Sequence, residues 1–432
     1  MINKPTAISI NRLLYTIGAI VFVTHFFHLS IYLVDIPTMD EWGGASFYPG
    51  LQQPELNWDF IFAPHNTHRI VPTRLSYWLL QHYADLNFAT LALISFFLYG
   101  GVCYVFLKGL ETRFKVPMGQ FYFVLATTAL HENHFWAFGS QFHFCLGFFF
   151  LAVHAALKDG VYRYTSLAWI AGSLLSFASG APYAVSLILL FLFQATVSRR
   201  RIESLGLAVA VAAMTFLWVQ SAPISAGAIT SPRSAEYWNY FTNLLASGFG
   251  YTTIDPIPGV VIALVLGVVS CTLAIANRES TQDRRNNIAG LLTLAVGLTA
   301  ALASTSMGRV GMNSPKTSRY VELGIFLIPV LWLMLRLALL SVPSFTRSAR
   351  GKLAINGLSV LLAAGLVLPF AQTFDYKTVY KPMFRQKQVT AACVRKFLHY
   401  GGSATCPIPA LRDVTPHIKA AKEANLLYIG KP

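Results

Sequence analysis

Residues 88–107 read FATLALISFFLYGGVCYVFL, a run without a charged side chain, and the next position is Lys108. A bilayer core of about 30 Å, crossed at 1.5 Å per helical residue, needs roughly 20 largely apolar residues, so this stretch reads as a transmembrane helix with a basic boundary. Working outward, the same pattern recurs near 13–34, 88–108, 117–131, 139–157, 164–179, 181–197, 204–221, 257–276, 288–305, 321–341 and 353–371. The chain thus presents about eleven candidate spans.

Composition agrees with that reading. Of 432 residues 55% are hydrophobic and 12% charged, with a mean hydropathy of +0.52, against roughly 25% charged in an average globular chain. That leaves too little charge to wet a soluble surface. The formal charge of +15 falls in short clusters between apolar runs, which is a membrane pattern and sets nucleic acid aside as a partner.

Basic residues also set the orientation. Lys108, Arg113 and Lys115 follow the second span, Lys158 and Arg163 the fourth, Arg199, Arg200 and Arg201 the sixth, Arg278, Arg284 and Arg285 the eighth, and Arg347, Arg350 and Lys352 the tenth. Every second loop is basic, which places those loops and the N-terminus, with Lys4 and Arg12, in the cytoplasm. The first apolar run lacks a convincing cleavage site and is expected to stay as an anchor. Two spans are weaker: 117–131 is barely long enough, and Gly180-Ala181-Pro182 offers only a tight turn between the fifth and sixth. Either reads as a full span or as a re-entrant element buried against protein.

The expected fold is therefore all-α, a polytopic membrane bundle over 1–371 with a first outer loop at 35–87 and a small outer tail at 372–432. Cys103, Cys145 and Cys271 fall inside spans, whereas Cys393 and Cys406 share the tail, where a disulfide fits an oxidising compartment. No repeat, heptad seam or low-complexity segment is evident. In the first outer loop Pro72 opens a helical pattern in which Leu75, Trp78, Leu79, Tyr83 and Leu86 recur with Arg74, Gln81 and Asp85 opposite, as in an interface helix. Tyr237, Phe241, Leu244, Leu245 and Phe249 form a second stripe. Both read equally as packing faces or as docking surfaces for a lipid substrate.

Charge is costly near hydrocarbon, so its position is informative. It gathers on the outer side: Asp35, Asp40, Glu41, Asp59, His65, His68 and Arg69 in the first loop; His131, Glu132, Asn133 and His134 in the next turn; Arg309, Lys316 and Arg319 before the tenth span. Asp40 or Glu41, partly desolvated, suits a general base, the alternative being a solvated acidic face. Arg309, Lys316 and Arg319 run against the positive-inside bias, and either a bound phosphate or pairing with Asp40, Glu41 or Glu322 explains them. His65 and His68, like His131 and His134, are three apart, a spacing open to a metal with Glu132 or Asp40, or to hydrogen bonding with substrate or backbone. His143 and His154 read as satisfied residues inside the bundle. Gln141, Tyr183 and Trp136 sit toward outer span ends, where Gln141 needs a partner and Trp136 suits an aromatic belt.

Taken together, one N-terminal span, Asp40-Glu41 early in a large outer loop, a helix from about Pro72, and a late basic loop ending Ser318-Arg319-Tyr320 make the chain similar to GT-C superfamily glycosyltransferases. Asn133-His134-Phe135-Trp136-Ala137-Phe138-Gly139-Ser140-Gln141 and His65-Asn66-Thr67-His68-Arg69 resemble motifs of bacterial membrane proteins in that group. The resemblance implies a polytopic enzyme of the bacterial inner membrane, with active site and C-terminus outside. It would move a sugar from a polyprenyl-phosphate donor to a glycan, lipid or protein acceptor. Asp40 or Glu41 would be the base; Arg309, Lys316 and Arg319 candidate phosphate ligands; and His65, His68, Arg69, His131, Glu132, His134, Gln141, Tyr183 and Tyr320 substrate contacts. No cofactor is implied with certainty, although relatives that use a divalent metal keep His131, Glu132 and His134 open to one. The short cytoplasmic loops hold no nucleotide-sugar fold. The rival readings are a transporter or flippase of a lipid-linked or anionic solute, which would place charge near the midplane, and a polysaccharide polymerase or O-acyltransferase.

Overall fold

A computed structural model describes residues 4–42, 47–66, 68–84, 86–127, 132–197, 200–221, 229–250, 255–310, 318–341, 357, 380–401, 406 and 415–423. Among these residues the fold is helical throughout, and the one β-type pairing is an isolated bridge between His65 and His68. Among the described residues eight segments are long and apolar enough to cross a membrane: Ile10–Tyr32, Phe88–Phe114, Ala137–Ala156, Gly180–Val197, Arg201–Ser221, Pro256–Ala276, Gln282–Arg309 and Tyr320–Leu340. The architecture is that of a helical membrane bundle.

Two of the eleven expected runs hold shorter helices in their described parts. Within the run at 117–131 the described residues form a helix of 9 residues, α6 (Gly119–Thr127), and the run at 164–179 forms a helix of 14, α8 (Val161–Leu174). At 1.5 Å per residue α8 covers about 21 Å, less than the hydrocarbon thickness. The candidate span at 353–371 lies outside the described residues. Helix α6 has no exposed residue, whereas α8 keeps Val161, Tyr162 and Tyr164 exposed, and a short apolar helix has the same composition as part of a full span.

The long helices are α1 (Lys4–Tyr32), α5 (Phe88–Phe114), α7 (Ser140–Ala156), α9 (Gly180–Val197), α10 (Arg201–Ser221), α12 (Pro256–Ala276), α13 (Gln282–Arg309) and the pair α14 (Ser318–Ile325) and α15 (Leu327–Leu340). Their positions follow from which faces are covered. The α7 and α14–α15 spans are 72% buried within the protein and form the centre; those of α1 and α10 are 22% buried and leave apolar side chains such as Ile20, Phe27, Val209 and Phe216 for lipid. Close approach of backbones fixes part of the centre. A Cβ on Gly248, at the end of α11 (Ala235–Gly248), would lie 2.8 Å from Gly324 Cα, and one on Gly259 of α12 would lie 1.9 Å from Thr242 O, so both crossings require glycine. The stripe on α11 is accordingly a packing face: Tyr237, Phe241, Leu244, Leu245 and Phe249 are all buried in the main core.

Because α8 stops short, the first loop settles into the bundle. Its helices are α2 (Phe47–Gln52), α3 (Trp58–Phe62) and α4 (Val71–Tyr83), and Val71 N donates to Leu175 O at the end of α8 (2.8 Å). Helix α4 departs from the expected polar and apolar faces. Arg74, expected opposite the apolar stripe, is buried and donates to the carbonyls of Phe60, Ala63 and Pro64, while Leu79 and Tyr83 are 43% and 79% exposed. Three carbonyl acceptors hold the two terminal nitrogens of this buried guanidinium, and the exposed Leu79 and Tyr83 suit a bilayer interface. Below α4, Asn87 caps α5 through Thr90 N (2.8 Å), and Asp35 accepts from Phe88 N (2.8 Å).

The tail contributes α16 (Tyr380–Tyr400) and α17 (Thr415–Glu423), with Cys393 and Cys406 bonded at a Cα separation of 5.6 Å. Ala391, Val394, Phe397, Cys406 and Ile418 form a small core with Ile36 and Trp42 of the first loop.

Candidate functional site

The first loop brings Asp40 and Glu41 to different environments. They share one turn of 3-10 helix, Met39–Trp42, so their side chains leave the backbone in different directions. Glu41 is buried: Thr38 N donates to Oε2 (2.7 Å), Phe138 N to Oε1 (3.0 Å), and Tyr77 OH also to Oε1. Burial pushes its carboxyl above the ordinary range against the pull of Lys387 and these donors, and burial pushes the Lys387 ammonium down. Lys387, on α16, donates to Phe135 O. Glu41 therefore ties the first loop to α4, to the 132–139 turn and to the tail. Asp40 remains accessible, its side chain 46% exposed, with His65 Nε2 3.7 Å from Oδ2.

His65 and His68 face one another across a tight turn. His65 N donates to His68 O (2.6 Å), His68 N donates to His65 O (3.1 Å), and Asn66 adopts φ +52°, a left-handed conformation that asparagine tolerates. His68 is buried against Phe177 (ring centroids 4.8 Å) and donates Nε2–H to Gln141 Oε1 (3.1 Å). Burial, with His65 and Arg309 beside it, pulls His68 down to about 3, while Gln141 and Asp40 act the other way. Arg309, at the end of α13, stands over the Tyr320 ring (5.8 Å) and has no carboxylate within ion-pair distance among the described residues. Hence Asp40 and Arg309, far apart in sequence, lie within electrostatic reach of one imidazole, that of His68.

A neutral His68 has a consequence for stability. The folded state binds fewer protons than the unfolded state between pH 6.5 and 3, so this contribution is present above pH 6.5 and is lost as pH falls toward 3. Unfolding in detergent at pH 5 is expected to be easier than at pH 7 by up to about 2 kcal/mol from this group, and His68→Gln should flatten that dependence. An unchanged slope in the variant would contradict a neutral His68.

A second polar group lies deeper. His143 Nε2 faces Glu322 Oε1 at 2.7 Å, both fully buried, and His134 stacks on His143 with ring centroids 5.3 Å apart. Ser95 Oγ and His143 Nδ1 share a hydrogen bond (2.9 Å), and Asn133 Nδ2 donates to Glu322 Oε2. One ligand atom each from His134, His143 and Glu322 falls within 4.8 Å of the others, so these are the described residues able to hold a divalent cation together. Ser95 and Asn133 would orient two of those ligands from behind. Ser95 is seven residues into α5, about 10 Å below its end, which places this group inside the bundle.

The remaining candidates sort by place. Arg69 is structural: its guanidinium donates to Phe62 O (3.0 Å), Ser221 Oγ (2.9 Å) and Ser221 O (3.0 Å), closing the end of α10. Tyr183 stacks on Phe149 (4.2 Å) in the core, away from Asp40. Trp136, suited to an aromatic belt, is instead buried and stacked on Phe138 (5.6 Å). His131, Lys316 and the side chains of Glu132 and Arg319 lie outside the described residues. Sequence reasoning missed Lys387, which carries no local signal. It treated His143 as core and Glu322 only as a possible partner for the basic loop, although a carboxylate at the start of an apolar run already signals a buried partner.

Fold and site together define a polytopic helical membrane protein with a polar cluster at its first loop and a buried His-His-Glu group inside the bundle. Comparison of the chain with known protein families, with curated proteins and with solved structures returns no match.

Proposed function

We propose that the chain is a membrane glycosyltransferase that takes a sugar from a polyprenyl-phosphate donor and transfers it on the extracytoplasmic face by direct displacement. The observation that supports this reading is the convergence of Asp40 and Arg309 around His68. Asp40 is the accessible carboxylate of its pair and serves as the base that takes the acceptor hydroxyl proton as that oxygen bonds to the anomeric carbon. The bond from that carbon to the carrier phosphate breaks, and Arg309 stabilises the leaving phosphate. His65 holds Asp40 in place, and Gln141, through His68, fixes the floor.

Purified protein in detergent, given a polyprenyl-phosphate sugar and an acceptor, should release polyprenyl phosphate and form glycoside in equal amounts. Arg309→Ala should raise the donor KM about 10- to 100-fold, the loss of one charge-assisted contact. Arg69→Ala, although structural, should leave the donor KM of the folded fraction unchanged. An Arg309→Ala enzyme with wild-type donor KM would remove arginine from the phosphate role.

The buried group favours a second reading, proton- or cation-coupled transport of an anionic or lipid-linked solute, because a carboxylate with two imidazoles buried inside the bundle is costly unless it is paired or used. Proteoliposomes distinguish the two: transport gives solute accumulation without glycoside.

A further inference from the structure

The bundle carries another cavity at the opposite end, among the basic connections that follow α5 and α7. Two hollows meet there. One, of about 310 Å³, is an apolar trough between α5, α7 and α13, bounded by Phe106, Leu110, Phe150, Leu291 and Leu294. The other, of about 590 Å³, is polar and lies against the ends of the same helices, with Arg113, Lys115 and Lys158 on one wall and Arg163 and Arg200 on the other. They share Arg113, His154, Leu157, Lys158 and Asn287, so they form one cleft that is greasy at one end and cationic at the other.

The two cationic walls differ. Arg163 is engaged by Glu203 (3.2 Å), Gln194 (2.6 Å) and Ser204 (2.7 Å), and Arg200 by Asp159 (3.5 Å) and Glu203 (3.9 Å). That wall is neutralised. On the wall nearest the trough, Arg113 is aimed by Asn287 Oδ1 (2.7 Å), and neither it nor Lys115 or Lys158 has a carboxylate within 4.0 Å among the described residues. The positive-inside bias accounts for cations at this end but not for their gathering at the mouth of an apolar slot. The trough follows α13 from Asn287 to Leu294, about 10 Å, enough for the upper part of one acyl chain. Gly109 lines it without a side chain, and a Cβ there would first meet His154 Nδ1 at 3.7 Å, so its wall is open.

We infer that this cleft binds one anionic phospholipid, with the phosphate headgroup between Arg113, Lys115 and Lys158 and an acyl chain in the trough between α5, α7 and α13. The occupant is a lipid rather than a free anion because the cations stand at the end of an apolar slot, and it is anionic because a zwitterionic headgroup would bring its own cation to this wall. The inference is independent of the glycosyltransferase reading.

The test is native mass spectrometry of the full chain, extracted in detergent and incubated with phosphatidylglycerol or phosphatidylcholine of the same acyl composition. Wild type should retain one phosphatidylglycerol about tenfold more strongly than phosphatidylcholine. Lys115→Gln with Lys158→Gln should abolish that preference. Gly109→Leu, which fills the trough and touches no cation, should reduce retention of both lipids. Arg284→Gln, a basic residue at the same end outside the cleft, should change neither, and thermal unfolding of each variant reports that it is folded. Equal retention of the two lipids by wild type, equal loss in Arg284→Gln, displacement of the lipid by millimolar inorganic phosphate, or wild-type retention in Gly109→Leu would each overturn the assignment.

Discussion

Asp40→Asn is expected to reduce sugar transfer roughly a hundred- to ten-thousandfold, the range for loss of a general base, with the unfolding midpoint in detergent unchanged. The neighbouring substitution should behave in the opposite way. Glu41 sits in a buried pocket in which Thr38 N, Phe138 N and Tyr77 OH all donate to it and Lys387 acts on it electrostatically. Glu41→Ala leaves three donors without their acceptor and a buried ammonium without its counter-charge, which costs about 3–5 kcal/mol, so the variant should unfold early and its folded fraction should keep its activity. Transfer assays with thermal unfolding of both variants check the pair. Loss of activity in both with normal stability would move Glu41 into the reaction, and full activity in Asp40→Asn would remove Asp40 from it.

The second large effect concerns the buried group. His143 and Glu322 are both fully buried with their facing atoms 2.7 Å apart, so removal of either strands the other in a medium that solvates charge poorly. Glu322→Ala and His143→Ala should each lower stability by about 3–5 kcal/mol, and the double variant should cost clearly less than the sum, because the second substitution removes a group that the first had already stranded. Strict additivity, measured by denaturant or thermal unfolding in one detergent, would mean that the two do not act as a pair. Adding Asn133→Ala extends the cycle to the neighbour that donates to the other oxygen of Glu322.

Much of this was legible in the chain, for reasons that differ by region. Eight spans stand out because a run such as 257–276 has no soluble alternative. Helix α8 is shorter than its apolar run because hydropathy reports apolarity and not helix length, and the break before α9 falls just ahead of Gly180-Ala181-Pro182, which are the first residues of that helix. In the site, Asp40, His65, His68 and Arg309 could be named from charge in the loops between apolar runs, and the fold brings Asp40, His65 and Arg309 within electrostatic reach of His68. The division of labour inside Asp40-Glu41 could not be named. It depends on a lysine about 350 residues away and on a backbone amide at Phe138, which neither spacing nor composition encodes. Arg74 and Arg69 illustrate the same gap: each looks like a surface cation in sequence, yet each is held by carbonyl oxygens that only the folded loop presents.

The proposed function requires the start of the chain to meet the end of α13 on the outer face, and cross-linking tests this most directly. Asp40→Cys with Arg309→Cys, in sealed cells treated with a membrane-impermeant bis-maleimide of about 10 Å reach, the scale over which unscreened charges act, should give an intramolecular cross-link that neither single variant gives. A cross-link that forms only in inverted vesicles, or none while each cysteine reacts singly, would contradict it.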